Sequence, residues 1–310
     1  MNFIYCLDKN YNIQALMSFF SLNKVTSEKI NIYIAHNQPS SLNKEINKYE
    51  FENLNFKFLE IKNNFDLPNL HNSHVTEATY YRIFAINLIK DDIDHVVYID
   101  SDILFNKDPY FTFHQYLNRL KKSEYIICAN TIGEYETDEL STIEYFDYME
   151  MNNKYFNAGV IIYDLKKYFN NDIGNKLEKH LINFQKEAKY WDQDILNTFF
   201  NGKYLELPQT LNNNVVVEDT DIKIEDVLDN ITVHFAGKTK PWHVKGLKYP
   251  IGCFFQKQYQ EIFDKSYFIS PFNKTRHLKE TLEFVKKSDQ YCVDNYFKFL
   301  FISLSKIFKS

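Results

Sequence analysis

Short apolar runs alternate with amphipathic segments over the first sixty residues of this 310-residue chain. The apolar runs are typical of buried strands, and the segments between them have the apolar spacing of helices. Strands and helices are therefore predicted in strict alternation, at residues 3–7, 10–22, 30–35, 40–49 and 54–61. Asn10 is the expected N-cap of the first helix. This alternation is the opening of a doubly wound α/β sheet.

The most informative apolar run, residues 96–99, ends in the sequence Asp-Ser-Asp. Residues i and i+2 of an extended segment point to one side, so Asp100 and Asp102 converge. Two carboxylates repel each other unless a cation lies between them, and oxygen ligands suit Mg²⁺ or Mn²⁺. The alternative is an exposed turn that caps the next element, and so short a motif does not decide between the two. Ligands of doubly wound sheets bind beyond the carboxyl ends of strands, where Asp8 also lies.

The middle of the chain adds polar residues to further predicted elements. A helix at residues 76–90 carries Arg82, which is a solvated residue unless the helix faces the acidic pair, where it would bind a carboxylate or phosphate. A strand is predicted at residues 125–129. Residues 131–152 show no clear period and are predicted to form a mobile segment near the site. The strand after them, 155–164, contains Asn157 and an Ala-Gly pair that permits close approach of a ligand.

Two later segments carry groups that suit an anionic ligand. Asp192, Gln193 and Asp194 begin a predicted helix, where acids commonly complement the helix dipole. A strand at 231–237 contains His234, and a lone histidine on an apolar strand is usually a hydrogen-bonded core residue. The loop after it, with Gly237 and Lys240, can wrap a diphosphate through ammonium and backbone N–H groups.

Composition favours a globular protein in a reducing compartment. The hydrophobic share is 45% and the charged share 25%, both ordinary for a globular domain. The four cysteines are widely scattered, which argues against a disulfide framework and favours the cytoplasm. We expect no signal peptide and no membrane-spanning segment. The acidic charge of the body argues against nucleic-acid binding.

The C-terminal tail differs in charge from the rest. The formal net charge is −5, yet residues 274–310 hold eight basic and four acidic residues. Residues 291–310 place large apolar side chains at helical spacing among lysines. Packing on the body is one interpretation, and binding to an anionic membrane surface is the other.

Taken together, six segments resemble the retaining glycosyltransferases of family 8, especially bacterial lipopolysaccharide galactosyl- and glucosyltransferases. They occur in one collinear order within residues 2–246, and each is weak alone. The segments are Asp8/Asn10/Tyr11, Thr79-Tyr80-Tyr81-Arg82, Tyr98-Ile99-Asp100-Ser101-Asp102, Tyr155-Phe156-Asn157-Ala158-Gly159, Asp192-Gln193-Asp194-Ile195-Leu196-Asn197 and His234-Phe235-Ala236-Gly237-Lys238-Thr239-Lys240-Pro241-Trp242-His243.

The resemblance implies a GT-A fold with a Rossmann-like, mostly parallel sheet flanked by helices, a UDP-sugar donor and Mn²⁺, with Mg²⁺ as the alternative. It makes Asp100, Asp102 and His234 the metal ligands. The residues implied for donor binding are Asp8, Asn10, Tyr11, Arg82, Asp100, Ser101, Asn157, Asp192, Gly237 and Lys240. His74 aligns only loosely with an acceptor-side histidine.

Retention of configuration normally suggests two displacements through a carboxylate nucleophile. Gln193 stands where the family would need that nucleophile, and an amide is a poor one. We therefore favour same-face attack by the acceptor, with the departing phosphate oxygen as base and Gln193 stabilising positive charge on the sugar. Asp194 is the backup nucleophile.

The resulting hypothesis is a metal-dependent hexosyltransferase that moves galactose or glucose from UDP to lipopolysaccharide or another surface saccharide. Residues 1–250 would form the transferase domain. Residues 251–310 would form a helical region whose basic amphipathic tail holds the enzyme on the inner face of the cytoplasmic membrane. The alternatives are a protein-glycosylating relative and an inactive sugar-nucleotide-binding relative.

Overall fold

The computed structural model describes residues 1–61, 80–89, 91–134, 140–151, 154–184, 186, 188–271 and 273–308. The chain divides into two compact units, Met1–Asn212 and Asn213–Ser310. The predicted boundary at residue 250 separates a transferase domain from a helical tail region by their expected functions, and it stays a prediction.

A seven-stranded sheet forms the centre of the first unit. Strands in this unit are β1 (Asn2–Leu7), β2 (Ile30–His36), β3 (Leu54–Glu60), β4 (His95–Ile99), β5 (Ile103–Phe105), β6 (Ile127–Glu134), β7 (Lys154–Asp164) and β8 (Leu205–Glu206). The sheet order is β3-β2-β1-β4-β7-β6-β8. Four neighbouring pairs are parallel, and only β7 runs antiparallel to its neighbours β4 and β6. The predicted mostly parallel α/β fold is confirmed.

Helices flank this sheet. They are α1 (Asn12–Val25), α2 (Pro39–Ile46), α3 (Tyr81–Ala85), α4 (Tyr110–Lys122), α5 (Leu140–Tyr148), α6 (Leu165–Asn170), α7 (Ile173–Asn183) and α8 (Asp192–Phe200), with 3₁₀ turns at Lys9–Tyr11, Ile86–Leu88 and Gln209–Leu211. The alternation predicted for the first sixty residues matches β1, α1, β2, α2 and β3, with ends that differ by a few residues. Parallel strands require such crossover helices, which is why the alternation indicates the topology.

Three local predictions were wrong in part. Asn10 does not cap α1, because it lies inside a 3₁₀ turn that Asp8 caps by accepting a hydrogen bond from the Asn10 backbone N–H. Within the helix predicted at residues 76–90, the described residues form the short helix α3 and a 3₁₀ turn; residues 76–79 and 90, like the predicted acceptor-side His74, lie outside the described residues. The segment 131–152, for which no regular element was predicted, contains the end of β6 and the helix α5 among its described residues, and its mobility stays a prediction.

The strands of this sheet are apolar on both faces. In β1, Ile4 and Cys6 lie in a core cluster with residues of α3, α7 and α8. The ring of Phe3 packs on Phe113 of α4, at 5.4 Å between centroids, and Tyr5 packs on Phe19 of α1. Successive strand residues point to opposite faces, so helices on both faces require a continuous apolar run rather than an alternating one.

The second unit is smaller and mainly helical. Its elements are β9 (Asn214–Val216), β10 (Thr232–Ala236), α9 (Ile224–Asp229), α10 (Pro250–Phe263), α11 (Lys274–Lys286), α12 (Tyr296–Phe308) and 3₁₀ turns at Val244–Lys248 and Ser288–Gln290. β9 and β10 pair in parallel. The helix predicted within residues 291–310 corresponds to α12. Among the described residues, no helix has the length and apolar character needed to cross a bilayer.

The expectation of reduced cysteines is wrong for one pair. Cys253 at the start of α10 and Cys292 before α12 form a disulfide, with Cα atoms 5.8 Å apart. Their 39-residue separation gives no spacing signal in the sequence. The backbone N–H of Cys292 also donates to the carbonyl of Leu247, which precedes Cys253 closely in the chain. Cys6 and Cys128 are buried thiols.

The core predicts a contrast between two isoleucines of the first unit. Ile161 of β7 is fully buried, whereas the Ile182 side chain on α7 is 60% exposed. Ile161→Ala should lower the free energy of unfolding by about 2–5 kcal/mol, because it removes apolar contacts and leaves a cavity. Ile182→Ala should change it by less than about 0.5 kcal/mol. Urea denaturation followed by circular dichroism measures both, and equal losses would contradict this placement of the core.

Candidate active site

The carboxyl ends of two neighbouring parallel strands carry the first acidic residues. Asp8 follows β1, and Asp100 and Asp102 follow β4. The chain proceeds outward from β1 to β3 and returns to β4 on the other side of β1, so this edge is a topological switch point of the sheet. Clefts of α/β sheets form at such points, because the chain leaves neighbouring strands in opposite directions. The strands thus place Asp8 and the Asp100–Asp102 segment at one edge.

The region around Asp8 is pre-ordered by local hydrogen bonds. Asp8 Oδ1 accepts from the Asn10 backbone N–H at 2.8 Å, and the Asn10 side chain is exposed. His36, at the end of the adjacent strand β2, was not predicted as a site residue. Its Nε2 lies 2.9 Å from Asn12 Oδ1, and its Nδ1 accepts from the Gln38 N–H. Burial lowers the pKa of His36 to about 4, so this ring is neutral at pH 7.

Arg82 faces the acidic residues, which is the arrangement in which sequence reasoning gave it a function. Its Nη2 donates to Asp100 Oδ1 at 2.9 Å, and its Nε forms an ion pair with Asp192. Its Nη1 donates to the carbonyl of Ala158 at 2.7 Å. The guanidinium also lies 4.5 Å from the centroid of the Tyr98 ring. One cation therefore joins α3, the end of β4, β7 and the start of α8.

The charges around Arg82 shift two ionisations. Burial raises the pKa of Asp192 to about 7, although Arg82 acts in the opposite direction. Burial also lowers the pKa of Arg82, but Asp100 and Asp192 outweigh this, and the pKa stays well above its usual range. Two carboxylates thus share one guanidinium at a buried position. Loss of the guanidinium or of the carboxylates would leave an uncompensated buried charge on the other group.

Tyr98 is a site residue that the sequence reasoning did not select. Its hydroxyl donates to Asp100 Oδ1 at 2.6 Å. Tyr98 stands two positions before Asp100, so the alternation of a strand puts both side chains on one side. The same spacing argument that joined Asp100 to Asp102 could have found it.

The start of α8 binds tightly to its neighbours. Asp194 is fully buried and accepts three hydrogen bonds, from the Tyr145 hydroxyl (2.6 Å), the Tyr155 hydroxyl (2.6 Å) and the Tyr190 N–H (2.8 Å). Gln193 is only partly buried. Its Oε1 accepts from the Ala158 N–H at 3.0 Å, and its Nε2 donates to the Tyr155 hydroxyl oxygen at 3.1 Å. Tyr145 and Tyr155 were not predicted as site residues.

Two asparagines hold the neighbouring backbone. Asn197 of α8 accepts from the Phe156 N–H at 2.8 Å and donates to its carbonyl at 2.9 Å. Asn157 Oδ1 accepts from the Gly159 N–H and from Asn212 Nδ2, both at 2.9 Å. These contacts fix the first half of β7 against α8. The first unit therefore brings Arg82, Asp100, Asn157, Asp192, Gln193 and Asp194 into one hydrogen-bonded region.

The second unit contains the remaining predicted residues on one strand and its loop. His234 is a buried residue of β10, whose backbone N–H donates to Asn213 O at 2.9 Å. Gly237 follows with φ +84°, in the left-handed region that favours glycine. Lys240 Nζ donates to the carbonyl of Phe235 at 2.6 Å.

His243 closes this loop. The Lys240 backbone N–H donates to His243 Nδ1 at 3.1 Å, which requires that nitrogen to be unprotonated. Burial, together with the nearby charges of Arg276 and Lys240, lowers the pKa of His243 to about 3. The ring is therefore a permanent acceptor at neutral pH, and it holds the backbone of the loop that carries Lys240.

Comparison with known proteins shows the family to which this chain belongs. The model of the family "Glycosyl transferase family 8" matches residues 2–246. A lipopolysaccharide 1,2-glucosyltransferase of Escherichia coli K12 is 26% identical over 229 residues, which are 72% of this chain and 64% of that protein. A lipopolysaccharide 1,3-galactosyltransferase of Salmonella typhimurium is 29% identical over 187 residues, 58% of this chain and 53% of that one. The chain thus spans less than two thirds of the length of these two relatives.

A solved structure has the same fold. The galactosyltransferase LgtC, crystallised with donor and acceptor sugar analogues, superposes with a TM-score of 0.60 at 20% identity. The superposition covers 84% of this chain and 96% of LgtC. Because the family model covers well over half of the sequence, this chain belongs to glycosyl transferase family 8 and is a glycosyltransferase.

Proposed function

We propose that this glycosyltransferase moves galactose or glucose from a UDP-sugar to a saccharide acceptor with retention of configuration. The observation that carries the proposal is the position of Arg82, which binds both Asp100 at the switch point of the sheet and Asp192 at the start of α8. A hexose is a polyol, and it is recognised by charged and amide side chains held in fixed positions. Arg82, Asn157 and Asp192 are proposed to hold the donor sugar.

The donor's other parts are assigned to residues at strand ends. We propose Asp8, Asn10 and Tyr11 for the nucleoside, with Tyr11 offering its ring to the base, and Ser101 for the donor near the acidic pair. Gly237 and Lys240 are proposed for the diphosphate. The loop from 237 to 243 suits this role because its backbone is held by His243, and a fixed loop loses less conformational entropy when it binds.

A divalent cation fits the chemistry of the proposed ligands. We propose Asp100 and Asp102 from the first unit and His234 from the second as ligands of Mn²⁺, with Mg²⁺ as the alternative. Asp102 is 9% exposed, and a buried carboxylate needs a cation or hydrogen-bond donors. Two carboxylates and an imidazole form a mixed O/N donor set. Such a set suits Mn²⁺ better than Mg²⁺, because Mg²⁺ prefers sites built from oxygen ligands alone. When bound, the cation would neutralise charge on the departing UDP as a Lewis acid.

For the chemical step, we favour same-face attack by the acceptor. Its hydroxyl oxygen bonds to the anomeric carbon as the bond from that carbon to UDP breaks, and the departing phosphate oxygen takes the hydroxyl proton. Gln193 would place its carbonyl oxygen near the anomeric carbon, where positive charge develops. Asp194, which the sequence offers as the backup nucleophile, is fully buried, and its two oxygens accept three hydrogen bonds. Those donors stabilise the carboxylate and make it a weaker nucleophile, which favours Gln193 as the residue at the sugar. A solved variant of LgtC is described as an active-site mutant in which a glutamine is replaced by glutamate.

The acceptor is proposed from the relatives. Because two of them are lipopolysaccharide transferases, we propose lipopolysaccharide or another surface saccharide as the acceptor and the cytoplasm as the location. A protein-glycosylating enzyme would share the donor residues and differ on the acceptor side. A catalytically inactive relative is less favoured, since the proposed metal and phosphate ligands are all present in the sequence.

The second unit offers a surface for the proposed membrane association. Two contacts show that α11 and α12 pack antiparallel. Early in α11, His277 Nε2 lies 2.9 Å from the carbonyl oxygen of Ser303, late in α12. Late in α11, the ring of Phe284 packs on Phe299, early in α12, with centroids 4.6 Å apart. In an antiparallel helix pair, the residues that follow the contact positions project to the same side of the pair. That side carries a row of exposed apolar residues from each helix: Leu278, Leu282 and Val285 on α11, and Phe297, Phe301 and Leu304 on α12.

The charges near this face favour an anionic bilayer as its occupant. The same two helices carry the lysines Lys279, Lys286, Lys298 and Lys306. The acids of α11 are matched by bases, since Glu280 pairs with Arg276 and Glu283 with Lys248. An apolar face with lysines beside it binds the interface of an anionic membrane in two ways: the apolar side chains enter the interface, and the lysines are attracted to the anionic lipids.

Donor turnover tests the proposed reaction. Incubation with UDP-[¹⁴C]galactose or UDP-[¹⁴C]glucose and Mn²⁺ should release labelled hexose by slow hydrolysis when no acceptor is present. Addition of EDTA should abolish the release, because the proposed cation would no longer support the leaving group. Separation of hexose from UDP-hexose on an anion-exchange column measures it. No turnover of either donor would contradict the donor assignment.

A carboxylate substitution tests the metal site. Asp102→Asn should weaken Mn²⁺-dependent UDP binding by at least about 100-fold, since even residues that only orient metal ligands are worth 10–100-fold. Isothermal titration calorimetry with and without Mn²⁺ measures this. Asp92→Asn is the matched control, because Asp92 is an exposed acid of the same unit. Equal binding by the two variants would remove Asp102 from the metal site.

Vesicle binding tests the two-helix face. The double variant Phe297→Ser/Phe301→Ser should bind phosphatidylglycerol vesicles at least about tenfold more weakly than the wild type, because two exposed aromatic rings no longer enter the bilayer interface. Cosedimentation at several salt concentrations measures the affinity. Phe111→Ser is the control, since Phe111 is 73% exposed on α4. A wild-type protein that stays in the supernatant would contradict membrane binding.

A further inference from the structure

We infer that Tyr155, held by Asp194, is a positioning residue that determines which atom of the Gln193 amide faces the donor sugar. The inference rests on the proposed function, because it takes Gln193 to lie at the reacting carbon. It concerns two residues that touch neither donor nor acceptor in the proposed reaction, and it replaces a nucleophilic role for Asp194 with an orienting one.

The first step is the direction of the Tyr155 hydroxyl proton. Tyr155 is 5% exposed, and its hydroxyl oxygen lies 2.6 Å from Asp194 Oδ1. An ionised carboxylate only accepts hydrogen bonds, so Tyr155 must donate here. Burial raises the pKa of Asp194, but the hydrogen bonds from Tyr155, from the Tyr145 hydroxyl and from the Tyr190 N–H oppose that rise, and three donors aimed at its two oxygens favour the ionised form. The hydroxyl proton of Tyr155 therefore forms the hydrogen bond to Asp194 and cannot be donated to another group.

The second step concerns Gln193. Since the Tyr155 proton is used, its oxygen can only accept, and it accepts from Gln193 Nε2 at 3.1 Å. On the other side of the amide, the Ala158 N–H can only donate, and it donates to Gln193 Oε1 at 3.0 Å. Both partners therefore require the same amide orientation. In a flipped amide, the NH₂ group of Gln193 would face the Ala158 N–H, and its carbonyl oxygen would face the Tyr155 hydroxyl oxygen. Neither pair can form a hydrogen bond, and buried polar groups left without partners are unfavourable.

The third step is the consequence for the reaction. As the bond between the anomeric carbon and UDP lengthens, the sugar becomes positive, and a carbonyl oxygen stabilises that charge whereas an NH₂ group opposes it. The Ala158 N–H uses one of the two lone pairs of Oε1, and a carbonyl oxygen has a second. The carbonyl of Ala158 also accepts from Arg82, so the same stretch of β7 fixes Gln193 and Arg82 relative to each other.

Tyr155→Phe removes the hydroxyl that orients the Gln193 amide and keeps the aromatic ring. We expect kcat for donor hydrolysis to fall about 10- to 100-fold, while KM for the donor changes by less than about threefold, because the orientation matters only as charge develops. Tyr5→Phe is the matched control, since Tyr5 is a buried tyrosine of the same unit whose hydroxyl bonds to Ser18. Its kcat should stay within about twofold.

A double-mutant cycle separates positioning from general structural support. If Tyr155 acts through Gln193, Tyr155→Phe should have no further effect on kcat in the Gln193→Ala background. Additive losses, or an unchanged kcat in the single variant, would overturn the inference. A wild type that turns over neither UDP-galactose nor UDP-glucose would instead count against the proposed function.

A second measurement needs no turnover. In ¹⁵N-labelled protein, the side-chain NH₂ signal of Gln193, identified by its loss in Gln193→Ala, should exchange its protons slowly with solvent because one of them is bonded to Tyr155. Tyr155→Phe should speed that exchange at least about tenfold, and Tyr5→Phe should leave it unchanged. Equal exchange in wild type and Tyr155→Phe would overturn the inference whatever the activity.

Discussion

The geometry of the active site depends on one shared cation. Arg82 donates hydrogen bonds to Asp100 and to the carbonyl of Ala158, forms an ion pair with Asp192, and lies 4.5 Å from the centroid of the Tyr98 ring. Two carboxylates drawn to one buried point would otherwise repel each other and lose their hydration. A guanidinium can satisfy both because its donors lie in a plane and point in fixed directions, which a lysine ammonium cannot reproduce. The end of β4, the start of β7 and the start of α8 are thereby held at fixed distances.

Much of this arrangement could be predicted from short-range rules. The alternation of apolar runs and helical segments indicates parallel strands, and the carboxyl ends of such strands form a ligand-binding edge. Asp8 and Asp100 could therefore be placed at one edge from the order of the elements alone. Strand periodicity likewise puts Tyr98 and Asp100 on one side, whereas Asp102 lies in the turn that follows β4. These inferences succeed because they need only the geometry of one strand and its neighbour.

The rest depends on contacts between residues that lie far apart in the chain. Tyr155 and Asp194 are 39 positions apart, and Tyr145 and Asp194 are 49 apart, so no periodicity connects them. The disulfide between Cys253 and Cys292 is hidden for the same reason, since scattered cysteines without a short spacing are typical of free thiols. The helix α5 was missed because its tyrosines and acids have no clear apolar period, and its aromatic residues Tyr145 and Phe146 instead pack on Tyr190 and Tyr155.

The order of residues at the start of α8 follows from helix geometry. Consecutive residues of a helix point about 100° apart, so Asp192, Gln193 and Asp194 cannot all face one substrate. Asp192 turns toward Arg82 and Asp194 toward Tyr145 and Tyr155, which leaves the residue between them partly exposed. An acid at that middle position would stand between two carboxylates, and mutual repulsion would raise its pKa and favour its neutral form. A glutamine avoids this repulsion and still presents a carbonyl oxygen. The two flanking acids thus explain why an amide, rather than a third carboxylate, occupies the position proposed to lie at the sugar.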